Sequence, residues 1–281
     1  MNRFRNTLMS IALTAVLCVV FMPVAGFAQA TKIVIDGSTT VGPIAKAFAE
    51  YFMSKNAGVN ITVSESGSGN GAKSLINGTC DIATMSRFMK DEEFKAAVEK
   101  GVFPVATVVS VDGIAIIVHP SCPVQGLSID QIRGIYTGKI TSWKDVGGPN
   151  VPIVIISRDT NSGTYESFET LVLNKEKISD KAEYVGSNGA VRERVQSTPA
   201  AVGYVGLGFV DKTVKALKVN NIMPDEATVT SGTYPIARPL FMFTNGYPKM
   251  GSTLYSFLNL YLSPKGQEIV KAIGFVPVTK Y

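Results

Sequence analysis

The sequence has one histidine, one tryptophan and three cysteines in 281 residues, and only 17% of it is charged. Each scarcity removes a class of chemistry. A Ser-His-Asp triad would have to be built on His119, which precedes Pro120 and reads as a loop or strand-end residue. No Gly-x-Ser-x-Gly elbow surrounds the serines of interest. One histidine and the two cysteines beyond residue 30 make no zinc pattern, so neither a metal nor a cofactor is expected. Gly71-Ala-Lys-Ser74 lacks the Gly-Lys-Ser/Thr order of a nucleotide P-loop, and Gly67-x-Gly69-x-Gly71 lacks the spacing of the dinucleotide fingerprint. These absences argue against an enzyme. Lys and Arg form no cluster, which argues against nucleic acid.

The first thirty residues read as a signal peptide. Arg3 and Arg5 give a basic start, Ile11 to Phe21 an apolar run, and Ala28-Gln29-Ala30 the small-x-small pattern that a signal peptidase cuts. The run is too short for a spanning helix, which needs roughly 20 residues. Ala15-Val16-Leu17 is a poor lipobox for Cys18, and the run continues past it. Cleavage after Ala30 and release into the periplasm are expected. The formal charge then falls from +5 to +3 (25 basic against 22 acidic), an excess that suits a small anion only weakly. In an oxidising compartment Cys80 and Cys122 could be joined or could be two buried thiols, and both readings stay open.

What is present is 46% hydrophobic residues, enough for a large core, and 40 glycines and prolines that imply many tight turns. Short β-branched runs alternate with amphipathic stretches. Lys32 to Ile35, Asn60 to Ser64 and Asp81 to Met85 read as strands; Val41 to Lys55, Ala72 to Asn77 and Lys90 to Lys100 read as helices. Val105 to Val118 is long and apolar, with a bend expected at Asp112-Gly113. A second series follows, opened by Ser128-x-x-Gln131, a capping-box pattern for a helix to Tyr136. Strands at Val151 to Ile156, Val202 to Gly206 and Pro239 to Thr244 alternate with helices at Gly163 to Leu173, Ala190 to Gln196, Thr253 to Leu262 and Lys265 to Ala272. This is the signature of an α/β protein with mostly parallel sheets covered on both faces. Trp143 reads as core.

Three strand-to-helix junctions share one composition. Ser38-Thr39-Thr40, Ser66-Gly67-Ser68-Gly69-Asn70-Gly71 and Arg158-Asp159-Thr160-Asn161-Ser162-Gly163-Thr164 each follow a strand and open a helix. The first amides of a helix have no internal partner and carry the positive end of its dipole. Glycine lets an anion approach the main chain, and hydroxyls add donors. Arg158 adds a permanent forked charge. One such loop is ordinary capping. Three, one of them with an arginine, point to an oxyanion site.

Ile35-Asp-Gly-Ser-Thr-Thr-Val41, Glu65-Ser-Gly-Ser-Gly-Asn-Gly-Ala-Lys73, Asp81-Ile-Ala-Thr-Met-Ser-Arg87 and Arg158-Asp-Thr-Asn-Ser-Gly-Thr164 occur in that order. Together with Ile135-Tyr-Thr-Gly-Lys-Ile-Thr-Ser-Trp143 and Val202-Gly-Tyr-Val-Gly206, the set resembles the periplasmic phosphate-binding proteins of the Pst phosphate ABC transporter over nearly all of the chain beyond residue 30. The resemblance implies a two-lobed periplasmic-binding-protein fold, type II-like, in which each lobe is a mixed, mostly parallel sheet flanked by helices. Residues 31–118 and 236–281 would form one lobe and 119–235 the other, with a two-segment hinge near Val118 to Pro123 and Tyr234 to Arg238. A monomer would close on inorganic phosphate and deliver it to membrane permease subunits. The phosphate-binding residues expected are Ser38, Thr39, Thr40, Ser66, Gly67, Ser68, Ser86, Arg87, Arg158, Ser162, Gly163 and Thr164.

One departure bears on selectivity. Many relatives carry an aspartate that takes the proton of hydrogen phosphate; the matching position here is Ser86, followed by Arg87. A serine can accept that proton but does not demand it. Asp159 or Asp36 could substitute, and Arg87 could contact the anion, pair with Asp159 or lie in solvent. Sulfate, molybdate or another oxyanion is the alternative ligand; an exported phosphatase and a surface protein without a ligand are the remaining alternatives.

Overall fold

The computed structural model describes residues 31–279, so the leader and its expected cleavage site lie outside the described residues. The chain opens with β1 (Thr31–Gly37), α1 (Gly42–Lys55), β2 (Val59–Ser64), α2 (Ser68–Ile76), β3 (Ile82–Met85) and α3 (Asp91–Glu99). β4 (Pro104–Val118) is a single strand of 15 residues. After it come β5 (Gly126–Leu127), α4 (Ile129–Tyr136), β6 (Val154–Arg158), α5 (Gly163–Leu171), β7 (Glu183–Val185), α6 (Asn188–Gln196) and β8 (Ala201–Gly206). β9 (Lys215–Ala216), β10 (Lys218–Val219), α7 (Glu226–Thr230), β11 (Ala237–Asn245), α8 (Thr253–Leu258) and α9 (Pro264–Ala272) complete it.

Local chemistry accounts for several boundaries. The capping box forms at α4: Ser128 Oγ accepts from the Gln131 amide at 3.1 Å, and Gln131 Oε1 accepts from the Ser128 amide at 2.8 Å. α1 buries Ile44, Phe48 and Phe52 on one face and ends at Lys55, where a cation complements the helix dipole.

The strands run β2-β1-β3-β11-β4-β8-β6-β7 across a curled sheet. Its outer parts are parallel, with β1 between β2 and β3, and β6 between β7 and β8, each joined through crossover helices. Its middle is antiparallel, since β11 pairs with β3 and β4, and β4 with β8. Two main hydrophobic cores flank that middle. Ile33, Ile35, Phe48 and Phe52 pack with Phe257, Leu258 and Val270, so α8 and α9 return to the first lobe. Tyr136, Trp143, Phe168 and Tyr204 centre the second, where Phe168 and Tyr204 stack at 4.0 Å and Trp143 Nε1 donates to the Ala200 carbonyl at 2.9 Å. The fold is a two-lobed α/β fold of mixed sheets.

β4 continues through Asp112-Gly113 and changes partners there. It pairs with β11 as far as Gly113↔Ala237 and with β8 from Ile114↔Gly206. One strand thus supplies hydrogen bonds to both groups of strands without a linker. Of the two readings left open for Cys80 and Cys122, the structure has the free thiols, which lie in two different cores. Burial pushes the Cys80 thiol up to about 12, which keeps it protonated and a poor nucleophile.

The two shared strands carry a buried ion pair where they cross between lobes. Asp112 and Arg238 face each other in register, and Asp112 Oδ2 accepts from Arg238 Nη2 at 2.9 Å and Nε at 3.2 Å. Burial pushes the carboxyl up and the guanidinium down, and each partner opposes the shift of the other. Asp112 Oδ1 also accepts from the Leu207 amide at 2.9 Å, tying the pair to the end of β8. Asp112→Ala should cost about 3–5 kcal/mol in urea unfolding, because it leaves a guanidinium buried without its carboxylate.

Candidate functional site

Loops from both lobes meet at the carboxyl ends of parallel strands, where open α/β sheets place their ligands. Ser38, Thr39 and Thr40 follow β1; Gly67 and Ser68 follow β2; Ser86 follows β3; Ser162, Gly163 and Thr164 follow β6. With Arg158, the last residue of β6, they enclose a cavity of about 110 Å³. The space is far too small for a sugar, a peptide or a nucleotide.

Two glycines make the enclosure possible. Gly67 sits at φ +100°, a conformation that side chains rarely adopt, and a Cβ there would lie 2.9 Å from the Asn161 carbonyl oxygen. Gly163 brings the start of α5 against the first lobe; a Cβ on it would overlap Ser68 Oγ and come within 2.7 Å of Ser86 Oγ. The helices contribute amides as well as hydroxyls, for α2 begins at Ser68 and α5 at Gly163.

Arg158 is 1% exposed. Its Nη2 donates to the Gly186 carbonyl at 2.9 Å and to Thr39 Oγ1 at 3.3 Å, and its Nε to the Val185 carbonyl at 3.2 Å. Nη1 is buried without a hydrogen-bond partner. Burial pushes this guanidinium down from its ordinary value and Asp159 holds it up, but it stays a cation at neutral pH. The backbone amide of Arg158 is held by Tyr204 OH at 3.2 Å, which also meets Ser157 Oγ at 2.9 Å. One cation, several hydroxyls and helix-start amides form a site for a small oxyanion.

A PBP superfamily domain model matches residues 24–265. The phosphate-binding protein PstS of Borreliella burgdorferi is 33% identical over 87% of this chain and 89% of its own. The chain belongs to the PstS family of phosphate-binding proteins. Protein SphX of Synechococcus elongatus is likewise 33% identical, over 89% of this chain and 79% of its own. A Clostridium perfringens protein, described as a phosphate ABC transporter substrate-binding protein and solved with bound phosphate, superposes with a TM-score of 0.83. It is 34% identical, over 89% of this chain and all of that one.

Ten of the twelve residues expected from the sequence line the cavity of this PstS-family chain, and Ser66 and Arg87 do not. Ser66 Oγ donates to Asp36 Oδ1 at 2.7 Å, and Ser74 Oγ to Asp36 Oδ2 at 2.6 Å, so Asp36 is a brace between loops and no proton acceptor for a ligand. Arg87 turns away because two carboxylates claim it: Glu93 accepts at 2.7 and 2.8 Å, and Glu166 pairs with its Nε. Asp159 does not reach the cavity either; its Oδ1 accepts from the Asn161 amide at 2.9 Å.

Contacts between the lobes surround the cavity. The Gly69 amide donates to the Asn161 carbonyl at 3.0 Å, and Ser167 Oγ to the Ser86 carbonyl at 3.2 Å. Glu166, one turn into α5, is held by Arg87 and by Lys90 Nζ at 3.0 Å. Three buried residues escaped the sequence reading. Asn188 donates to Thr39 and Thr40, Arg238 donates to Thr164 Oγ1 at 3.0 Å and to the Gly163 carbonyl at 3.2 Å, and Asp112 anchors Arg238. The only sequence signal for Asn188 is Ser187-Asn-Gly, a fourth helix start of the same composition; Ser187 Oγ does cap α6, accepting from the Ala190 amide at 3.1 Å.

Gly163→Ala should hold the lobes apart. Anion affinity should fall at least tenfold while the melting temperature of ligand-free protein changes little, as calorimetric titration and thermal scans would register. Unchanged affinity would contradict this closed arrangement.

Proposed function

We propose that the protein is an exported, non-catalytic solute-binding protein that captures inorganic phosphate between its lobes and delivers it to the membrane subunits of an ABC importer. The observation that carries the reading is the buried Arg158 Nη1, without a protein partner, in a small cavity ringed by hydroxyls from both lobes. The bound phosphate of the Clostridium perfringens relative supports the choice of ligand. Export rests on the basic start, apolar run and Ala28-Gln29-Ala30 of the leader, with cleavage after Ala30. Action as a monomer, and permease subunits as partners, belong to the same proposal.

The energetics are sufficient. Hydrogen bonds to a charged group contribute roughly 1.5–3 kcal/mol each. Micromolar affinity needs only about 8 kcal/mol after the costs of ordering and desolvation.

A second oxyanion is the rival reading, for a specific reason. Among the described residues the lining holds no carboxylate, and Ser86 stands where a carboxylate would demand a ligand proton. Phosphate-stripped protein titrated in parallel with phosphate, sulfate and molybdate decides between them, with phosphate expected to bind tightest. Tighter binding of sulfate or molybdate would overturn the ligand assignment, and no binding of any anion would overturn the function. Arg158→Ala should weaken phosphate at least tenfold, the loss of one or two charge-assisted bonds. Ser86→Asp should raise the preference for phosphate over sulfate; unaltered affinities for both would place residue 86 out of reach of the ligand.

A further inference from the structure

Asn188, the first residue of α6, is fully buried and does not line the cavity. Its Oδ1 accepts from the Gly206 amide at 3.1 Å. A backbone N–H can only donate, so the side-chain amide has one orientation. Its Nδ2 therefore faces the other lobe, donating to Thr39 Oγ1 at 3.2 Å and Thr40 Oγ1 at 3.0 Å.

A hydroxyl has two lone pairs and one hydrogen. Thr39 Oγ1 accepts from Asn188 and also from Arg158 Nη2 at 3.3 Å, so only its hydrogen remains to offer. Ser38 Oγ is in the same condition, with the amides of Thr40 at 3.1 Å and Val41 at 3.3 Å on its lone pairs. Thr40 and Thr164 hydroxyls meet at 2.9 Å, and Arg238 Nη2 donates to Thr164. Of their two hydrogens and four lone pairs, the mutual bond, Asn188 and Arg238 use one hydrogen and three lone pairs, which leaves one of each. Ser38 and Thr39 can thus only donate. Across the cavity, Ser86 Oγ meets Ser68 Oγ at 3.4 Å and Ser162 Oγ accepts from the Tyr165 amide at 3.2 Å, which leaves both with acceptor capacity.

We propose that Asn188 is a specificity-determining residue that acts through Thr39 and Thr40. By occupying one lone pair on each, it completes with Arg158 the acceptor capacity of Thr39, leaves the Thr40–Thr164 pair a single lone pair, and biases the cavity toward unprotonated anion oxygens. The inference rests on the oxyanion reading of the site and adds a preference among protonation states.

The test titrates wild type, Asn188→Leu and Asn188→Ala with sulfate, and with phosphate on both sides of its second ionisation. The alanine variant leaves room for water on the Gly206 amide, so the test stands if the leucine variant fails to fold. Wild-type affinity for phosphate should rise as the ligand loses its second proton. In the variants that rise should flatten, and sulfate should weaken roughly tenfold or more relative to the phosphate monoanion. In a Thr39→Val background the Asn188 substitutions should have a smaller effect, as expected of a residue acting through that hydroxyl. Equal losses for every ligand with an unchanged pH profile would assign Asn188 to packing and overturn the proposal, as would unchanged affinities. A wild type that binds neither anion would overturn the oxyanion reading itself.

Discussion

A guanidinium taken out of water is the constraint on which the arrangement depends. Removing a charge from water costs several kcal/mol unless an opposite charge and hydrogen bonds replace the solvent. Around Arg158 the carbonyls of Val185 and Gly186 satisfy part of the fork, but no carboxylate lines the cavity that it faces. Asp159 Oδ2 lies 3.8 Å from Nη2, while Nη1 keeps no hydrogen-bond partner, a place that an anion would fill. Groups from both lobes face the same cavity, so a ligand held there would contact both.

The fold joins its two sides through a shared strand. β4 pairs with β11 along its first part and with β8 along its second, so one continuous strand hydrogen-bonds to both groups of strands. Asp112 and Arg238 sit where β4 changes partners, and Arg238 reaches from there to Gly163 and Thr164 at the start of α5. The point where β4 changes partners is thus hydrogen-bonded to residues that line the cavity. Farther out, Glu166 on the same helix meets Arg87 and Lys90 of the other lobe, so α5 is gripped on its cavity side and on its outer side.

Much of this was legible in order along the chain. Hydrophobic alternation located the main strands and helices, and the Ser128-x-x-Gln131 box began α4 as expected. The site loops were legible because each carries its own chemistry at a helix start. Short elements such as β7 and β9 were not, being too brief to show a period. The long run Val105 to Val118 was legible, but not that β4 changes partners at Asp112-Gly113. The aspartate there is paired with a residue far along the chain, and the glycine lies tight against Val229, whose Cγ2 would be 2.8 Å from a Cβ.

Arg87 marks the boundary between the two kinds of knowledge. Its place beside Ser86 suggested a second cation for the ligand, but Glu93 meets it from the first turn of α3 and Glu166 arrives from the other lobe. The sequence by itself determined which backbone segments could hold an oxyanion, since helix-start amides, glycines and hydroxyls are local properties. Tertiary structure alone decided which charges face the cavity, which hydroxyls must donate and how β4 serves both lobes. Those depend on partners brought together from distant parts of the chain, and no local pattern encodes them.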